Sequence, residues 1–318
     1  MAARGEMQRL ERRSLGVAMW GNLLMAAAGL LAAVLSNSTA ILMDGLFSLV
    51  GFGSAILARR ISRRVGAGPD AARPFGYAAD EALFSTFRAL SLLGLIAFAV
   101  ANAARTILAH LNGAPPEPLI FAPMIVYFAG VGVVCVVLWA FHHVTWRKTG
   151  RQSAILRIEA KAALFDAVIT AAAGAGLGAI HVFREGPLAV VAPVGDSVIV
   201  LMLCLLAVGI HLREFRRGLG ELAGVSAASG DHAVAARALR PAIAEDGGTL
   251  RDLSVVRLGR TSLITAYYDP GRPVRAAEMD DLTLRMIRDA RAALPGSDVL
   301  LVVTGHPRRW PAEVDPFA

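Results

Sequence analysis

Charged side chains make up only 18% of this 318-residue sequence, against 55% hydrophobic residues. The mean hydropathy is +0.55. A soluble globular chain of that composition lacks the polar surface needed to cover its core, which excludes an ordinary soluble enzyme. Disordered and collagen-like chains are excluded on the same numbers. Cysteine is nearly absent: Cys135 and Cys204 each lie inside an apolar run. That excludes a disulfide framework or a CxxC metal site and leaves both as small core residues. Lysine is as scarce, with only Lys148 and Lys161, so the net charge of +7 is carried by arginine. In a chain this apolar the basic excess belongs at a membrane surface, and no nucleic acid partner is expected. No GxxxxGK[ST] loop occurs, so no nucleotide is expected to bind or to drive the protein. The N-terminal MAARGEMQRLERR is basic and leads into an apolar run of spanning length, so a cleaved leader is not expected.

What the sequence has in quantity is apolar stretches long enough to cross a bilayer. Six are expected, at roughly 14–36, 39–59, 82–108, 119–144, 155–182 and 188–212. Only Ser36-Asn37-Ser38-Thr39 separates the first two, which predicts a helical hairpin. Up to residue 217, basic residues in the loops and near the span ends fall 16 on one side and two, Arg105 and Arg184, on the other. That asymmetry predicts that both termini are cytoplasmic; the membrane expected for this multi-pass protein is a bacterial inner (plasma) membrane. Past about residue 220 the composition becomes polar. The expected fold class is an all-α membrane domain of six helices followed by a cytoplasmic α+β domain. Its parts are an N-terminal segment 1–13, the membrane domain 14–217, a linker 218–230, the α+β domain 231–305 and a tail 306–318. Within the α+β domain, 232–245 has helical spacing, with Pro241 as a kink or a stop. Residues 250–258 and 261–268 read as strands joined by the turn Gly259-Arg260. Residues 276–293 read as an amphipathic helix and 298–304 as a buried strand.

Ionisable groups within a span are costly, and each is a candidate for function. Asp44 lies in the second span, Arg88 in the third, Glu159, Lys161 and Asp166 in the fifth, and Asp196 near the outer end of the sixth. Asp44 and Ser48 share a helix face, as do Asp166 and Thr170, because each pair is one turn apart. Asp44 lies about five residues from the outer surface and Asp166 about eleven from the inner one; at ~1.5 Å per residue both fall in the middle or outer half of the membrane. Two carboxylates at similar depth, each with a hydroxyl one turn away, suit an oxygen-coordinated cation or a proton. The alternative is that a buried Asp bonds a neighbouring helix and fixes packing. Arg88 needs a counter-ion, for which Asp44, Asp196 and a lipid phosphate are the candidates. Lys161 near the cytoplasmic end snorkels or pairs with Glu159. Arg88 and Lys161 are thus the candidate internal counter-ions of the acids. His142, His143, His232 and His306 are expected at surfaces or interfaces, with His306 a weak candidate for a metal site in the tail.

Three phrases carry a family resemblance: Ser38-Thr39-Ala40-Ile41-Leu42-Met43-Asp44-Gly45-Leu46-Phe47-Ser48; Arg73-Pro74-Phe75-Gly76-Tyr77 followed by Asp80-Glu81; and Glu159-Ala160-Lys161 with Asp166. Their order, with six spans and a mixed tail, resembles the cation diffusion facilitator, or cation efflux, family. The resemblance implies a homodimer that exchanges a divalent metal (zinc, manganese, iron or cobalt) for protons. It implies a transport site on the second and fifth spans and a metallochaperone-like tail. The metal is cargo, and no fixed cofactor is expected. In the usual register the second-span ligands would fall on Phe47 and Gly51, and the first fifth-span ligand on Ala162, leaving Asp166. Loop histidines found in some members would fall on Arg73 and Tyr77. A tetrahedral zinc site with nitrogen ligands is therefore not encoded. The residues offer instead an oxygen-only site displaced outward, built from Asp44, Asp166, Ser48 and Thr170, which favours Mn²⁺, Mg²⁺ or Fe²⁺ over Zn²⁺.

Two functions follow as expectations. One is a non-enzymatic, proton-coupled exporter of a divalent cation. The other is a non-transporting membrane partner for assembly or sensing, in which Arg88 or Lys161 neutralises the buried acids.

Overall fold

The computed structural model of the chain describes residues 2–64, 70–73, 76–114, 116–148, 154–183, 186, 191–259 and 261–307. Six helices are long and apolar enough to cross a membrane. They are α1 (Ala2–Ser36), α2 (Thr39–Arg64), α3 (Ala79–Leu111), α4 (Phe121–Lys148), α5 (Ala154–Val182) and α6 (Gly195–Leu222). Most of these helices outrun the apolar stretches expected from sequence. Hydropathy marks only the segment that suits hydrocarbon, whereas backbone hydrogen bonding continues into the polar ends. α6 starts later than expected, at Gly195, after a short 3-10 turn at Ala192–Val194. Pro123 sits in the first turn of α4, where its missing N–H would have had no helical partner.

Contacts divide the chain into two units. The first comprises Met1–Arg60 and Phe87–Glu214. Its core follows one face of α4: Met124, Tyr127, Val131, Cys135, Leu138, His142 and Thr145 are all buried. These positions advance by threes and fours, the spacing of one helix stripe. α4 packs on α1 and α5. Across the helical hairpin, α1 and α2 meet at two glycines. A Cβ on Gly29 would stand 2.6 Å from the Gly45 Cα, and one on Gly45 would stand 3.0 Å from the Leu30 nitrogen. Only hydrogen side chains permit this approach.

The second unit comprises Ile61–Thr86 and Phe215–Ala318. It holds α7 (Ser229–Asp246), β1 (Thr249–Leu258), β2 (Thr261–Asp269), α8 (Ala276–Ala293) and β3 (Asp298–Val303). The five elements expected from sequence are present, within a few residues at their ends. Six residues, 223–228, join α6 to α7. Pro241 lies inside α7, which continues to Asp246 and ends at Gly247 with φ of 82°. The sheet order is β1-β2-β3, with β1 antiparallel and β3 parallel to β2. The β1–β2 turn opens at Gly259, while Arg260 lies outside the described residues. α8 makes the crossover that a parallel strand pair requires. Leu253 and Val255 of β1 alternate inward, as do Ile264, Ala266 and Tyr268 of β2. They meet Leu282, Met286 and Ala290, one stripe of α8, and Ala235, Leu239, Ala242 and Ile243 of α7. A three-stranded sheet with its helices is the expected α+β domain.

The segment before α3 is part of this second unit. Arg73 donates to Asp80 at 2.7 Å and lies 5.5 Å over the Tyr77 ring, and the Tyr77 hydroxyl donates to Asp70 at 2.5 Å. Pro74 and Phe75 of the family phrase lie outside the described residues. Gly259, at φ of 58°, sits so close to the start of α3 that a Cβ would stand 2.7 Å from the Ala78 carbonyl oxygen. Its N–H donates to Glu221 at 3.1 Å.

Two expectations follow. Gly29→Ala should lower the melting temperature of the detergent-purified protein, because overpacking a tight contact costs about 1–3 kcal/mol. Gly130→Ala should leave it unchanged or raise it, because a Cβ there meets nothing within 4 Å. Equal effects at the two glycines would contradict the crossing. Arg251 holds the Asp269 carboxyl below its usual range, and Arg272 and then Arg275 do the same for Glu278. A depressed carboxyl adds stability above its unfolded value and loses it as pH falls through the folded one. Hydrogen exchange of the second unit in the full chain, corrected for intrinsic rate, should quicken below about pH 4. Glu278→Gln should blunt that pH dependence, and an unaltered profile would count against it.

Candidate transport site in the helix bundle

Asp44 lies half-buried on α2 beside the glycine crossing. One carboxylate oxygen, Oδ2, accepts a hydrogen bond of 2.5 Å from the Tyr127 hydroxyl. Tyr127 is 4% exposed and projects from the buried stripe of α4. Ser48, one turn along α2 from Asp44, is also half-buried. On α5, Asp166 lies on the accessible surface of the unit, while Thr170, one turn on, is buried at 3% exposure. Asp166 is within electrostatic reach of Asp44, Arg88 and Glu159. Cys135 of α4 is within reach of both Asp166 and Asp44. The bundle therefore brings the two acids into one electrostatic neighbourhood beside α4.

The positions that the usual register assigns to second-span ligands are taken up by packing. The Phe47 ring stacks on His211 of α6, with centroids 6.4 Å apart. A Cβ on Gly51 would stand 3.3 Å from the Asn22 amide nitrogen of α1. Of the accessory-site positions, Arg73 bonds Asp80 in the first turn of α3 and Tyr77 bonds Asp70. Among the described residues, no group of three or more His, Cys, Asp or Glu side chains is placed to hold a metal ion. Any cation held here must draw on two carboxylates, hydroxyls and water, which is hard-ligand chemistry.

Three expectations need correction. Asp196 is not the counter-ion of Arg88. It accepts from the Ser38 hydroxyl at 2.6 Å and from the backbone N–H groups of Thr39 at 2.7 Å and Ala40 at 3.3 Å. Ser38 in turn caps Ile41 at 3.2 Å. Asp196 thus satisfies the open N-terminus of α2, where a negative charge suits the helix dipole. Arg88, exposed on α3, interacts instead with Asp166, Glu159 and Glu214. Lys161 does not pair with Glu159. It is exposed and forms no ion pair among the described residues. Residues two apart on a helix do not face each other. His142 is not a surface residue: it is 1% exposed and shares a 2.5 Å hydrogen bond with the Ser14 hydroxyl. Of the other histidines, His143 lies between the Trp139 and Trp146 rings, His232 bonds the Leu253 carbonyl at 2.8 Å, and His306 is exposed.

Sequence reasoning missed Tyr127 and His211. Tyr127 carried a signal, since of four tyrosines it alone lies within a span. A phenol in hydrocarbon needs a partner, and Asp44 is that partner. His211 carried none, because its neighbour across α2 is a phenylalanine. It also approaches Glu214 at 3.2 Å.

Residues 15–223 match the family model of the cation efflux transmembrane domain. No curated protein matches the chain.

Asp196→Ala should destabilise the purified protein by about 1–2 kcal/mol or more, the scale of a lost helix cap. The loss should appear as a lower melting temperature in detergent. A variant as stable as the parent would mean that the α2 terminus is satisfied another way.

Proposed function

The chain belongs to the cation efflux family, whose members transport metal cations, and from that premise we propose that it is a secondary transporter exporting a divalent cation from the cytoplasm in exchange for protons. The observation that carries the proposal is the pairing of Asp44 on α2 with Asp166 on α5 in one electrostatic neighbourhood. Neither acid has an arginine or lysine partner in an ion pair among the described residues. Ser48 and Thr170 lie one turn from them. We assign the cation to Asp44 and Asp166, with Ser48 and Thr170 as hydroxyl donors. Asp44 and Ser48 are themselves four residues apart, the spacing of the family's second-span pair. The pair keeps that spacing about one turn further out than Phe47 and Gly51. Oxygen donors favour Mn²⁺, Mg²⁺ or Fe²⁺, with Zn²⁺ and Co²⁺ less well served.

Coupling to protons follows from desolvation. Two carboxylates close together in an apolar bundle repel one another, and a divalent cation relieves that repulsion. When the cation leaves, protons taken from the far side restore neutrality. Proton-loaded and cation-loaded forms are then the two states able to cross between inward and outward access. The termini and the α+β domain face the cytoplasm on the arginine distribution, in a bacterial plasma membrane, and two copies form the working unit. A second reading, a non-transporting partner, is favoured by one observation: Arg88 lies within electrostatic reach of Asp166. A fixed cation there could take the place of the metal.

Uptake of Mn²⁺ into everted vesicles separates the two. The wild type should accumulate the metal and collapse an imposed proton gradient, and Asp166→Ala should reduce uptake at least tenfold. Equal uptake by both would remove Asp166 from the mechanism, and no uptake by either would favour the second reading.

A further inference from the structure

The hydrogen bond from Tyr127 to Asp44 points to a role that neither the family match nor the ligand positions assign. We propose that Tyr127 is a positioning residue of the cation site: its hydroxyl fixes one oxygen of Asp44 so that the other is presented to the cation. The proposal rests on the transport reading of Asp44 and Asp166 given above.

Three features of the geometry support it. The bond is short, 2.5 Å, and runs from α4 to Oδ2 of Asp44, leaving Oδ1 without a bond to Tyr127. The hydroxyl sits beside the close crossing of α1 and α2. A Cβ on Gly29 would stand 3.1 Å from the Tyr127 oxygen, and the Gly29–Gly45 contact fixes the neighbouring backbone of α2. The phenol therefore has little room to swing while α1 and α2 stay crossed. Finally, the next residue on α4 reaches the other acid-bearing helix. The Phe128 ring lies against Gly174 of α5, where a Cβ would stand 3.0 Å away. Two consecutive side chains of α4 thus touch α2 and α5, the helices that carry Asp44 and Asp166. Cys135, two turns further along the same α4 stripe as Tyr127, is within electrostatic reach of both acids.

A carboxylate that binds a metal through one oxygen is commonly held through the other by a hydrogen-bond donor. Removing such a partner typically costs 10–100-fold in metal affinity. A purely structural tyrosine would act differently, lowering the amount of folded protein and leaving the affinity of what remains unchanged. The distinguishing readout is therefore KM against kcat.

The test uses the full chain in proteoliposomes with Mn²⁺ as the probe. Monodispersity in detergent serves as the control for folding. Tyr127→Phe keeps the ring and removes the hydroxyl. It should raise KM for Mn²⁺ about tenfold or more with kcat little changed. Asp44→Asn should also raise KM, and adding Tyr127→Phe to it should produce no further rise, because the two act on one interaction. An unchanged KM in Tyr127→Phe, or a full additive loss in the double variant, overturns the proposal. If Asp44→Asn leaves KM unchanged, the transport reading of Asp44 fails, and the positioning role with it. If Asp44→Asn raises KM and Tyr127→Phe does not, the reading stands and the proposal alone falls.

Discussion

A carboxylate placed among apolar helices has to find its stabilisation within the protein. Asp44 finds it in the Tyr127 hydroxyl, beside the crossing of α1 and α2. A hydrogen bond to a charged group contributes about 1.5–3 kcal/mol, and an unmet polar group in hydrocarbon costs at least as much. The bond therefore ties α2 to α4 at this point. The glycine pair Gly29 and Gly45 lets α1 come close enough to close over it. The apolar stripe of α4 holds the tyrosine in place and carries Cys135 past both acids.

α2 is also secured at its N-terminus, little more than a turn from Asp44, by a different acid. Asp196 accepts from Ser38, Thr39 and Ala40 and so neutralises the open N-terminus of α2. Three of the membrane acids that the sequence singles out thus sit in different surroundings. Asp196 is bound into helix capping. Asp44 is held by one oxygen. Asp166 lies at an accessible surface beside Arg88 and Glu159. That gradation, from fully committed to accessible, is what a site needs if one acid is to stay fixed while another meets a cation arriving with its hydration shell.

The fold was legible because its signals are local. Six apolar runs, the period-two strands around Val255 and Ile264, and the stripe at Leu282, Met286 and Ala290 each follow from residue spacing alone. Pro241 shows the limit of that reading, since tertiary packing on the sheet carries α7 through it. Of the candidate site, the sequence displayed only the acids. Which acid faces which helix depends on rotation about each helix axis, and α4 is too uniformly apolar to reveal its buried face. Hence Asp196 looked like a partner for Arg88, and Tyr127 and His211 passed unremarked. An arginine in a span signals a need for opposite charge but says nothing of which of several acids at similar depth meets it.

The central claim is that Asp44 and Asp166 hold one cation between them. Anomalous scattering from crystals of the full chain soaked in Mn²⁺ tests it most directly. The account predicts one peak within bonding distance of both carboxylates, about 2.0–2.4 Å from the nearest oxygens, as for other oxygen-bound divalent ions. A peak that touches neither acid, or an acid pair free of metal while Mn²⁺ occupies a site elsewhere in the bundle, would contradict it.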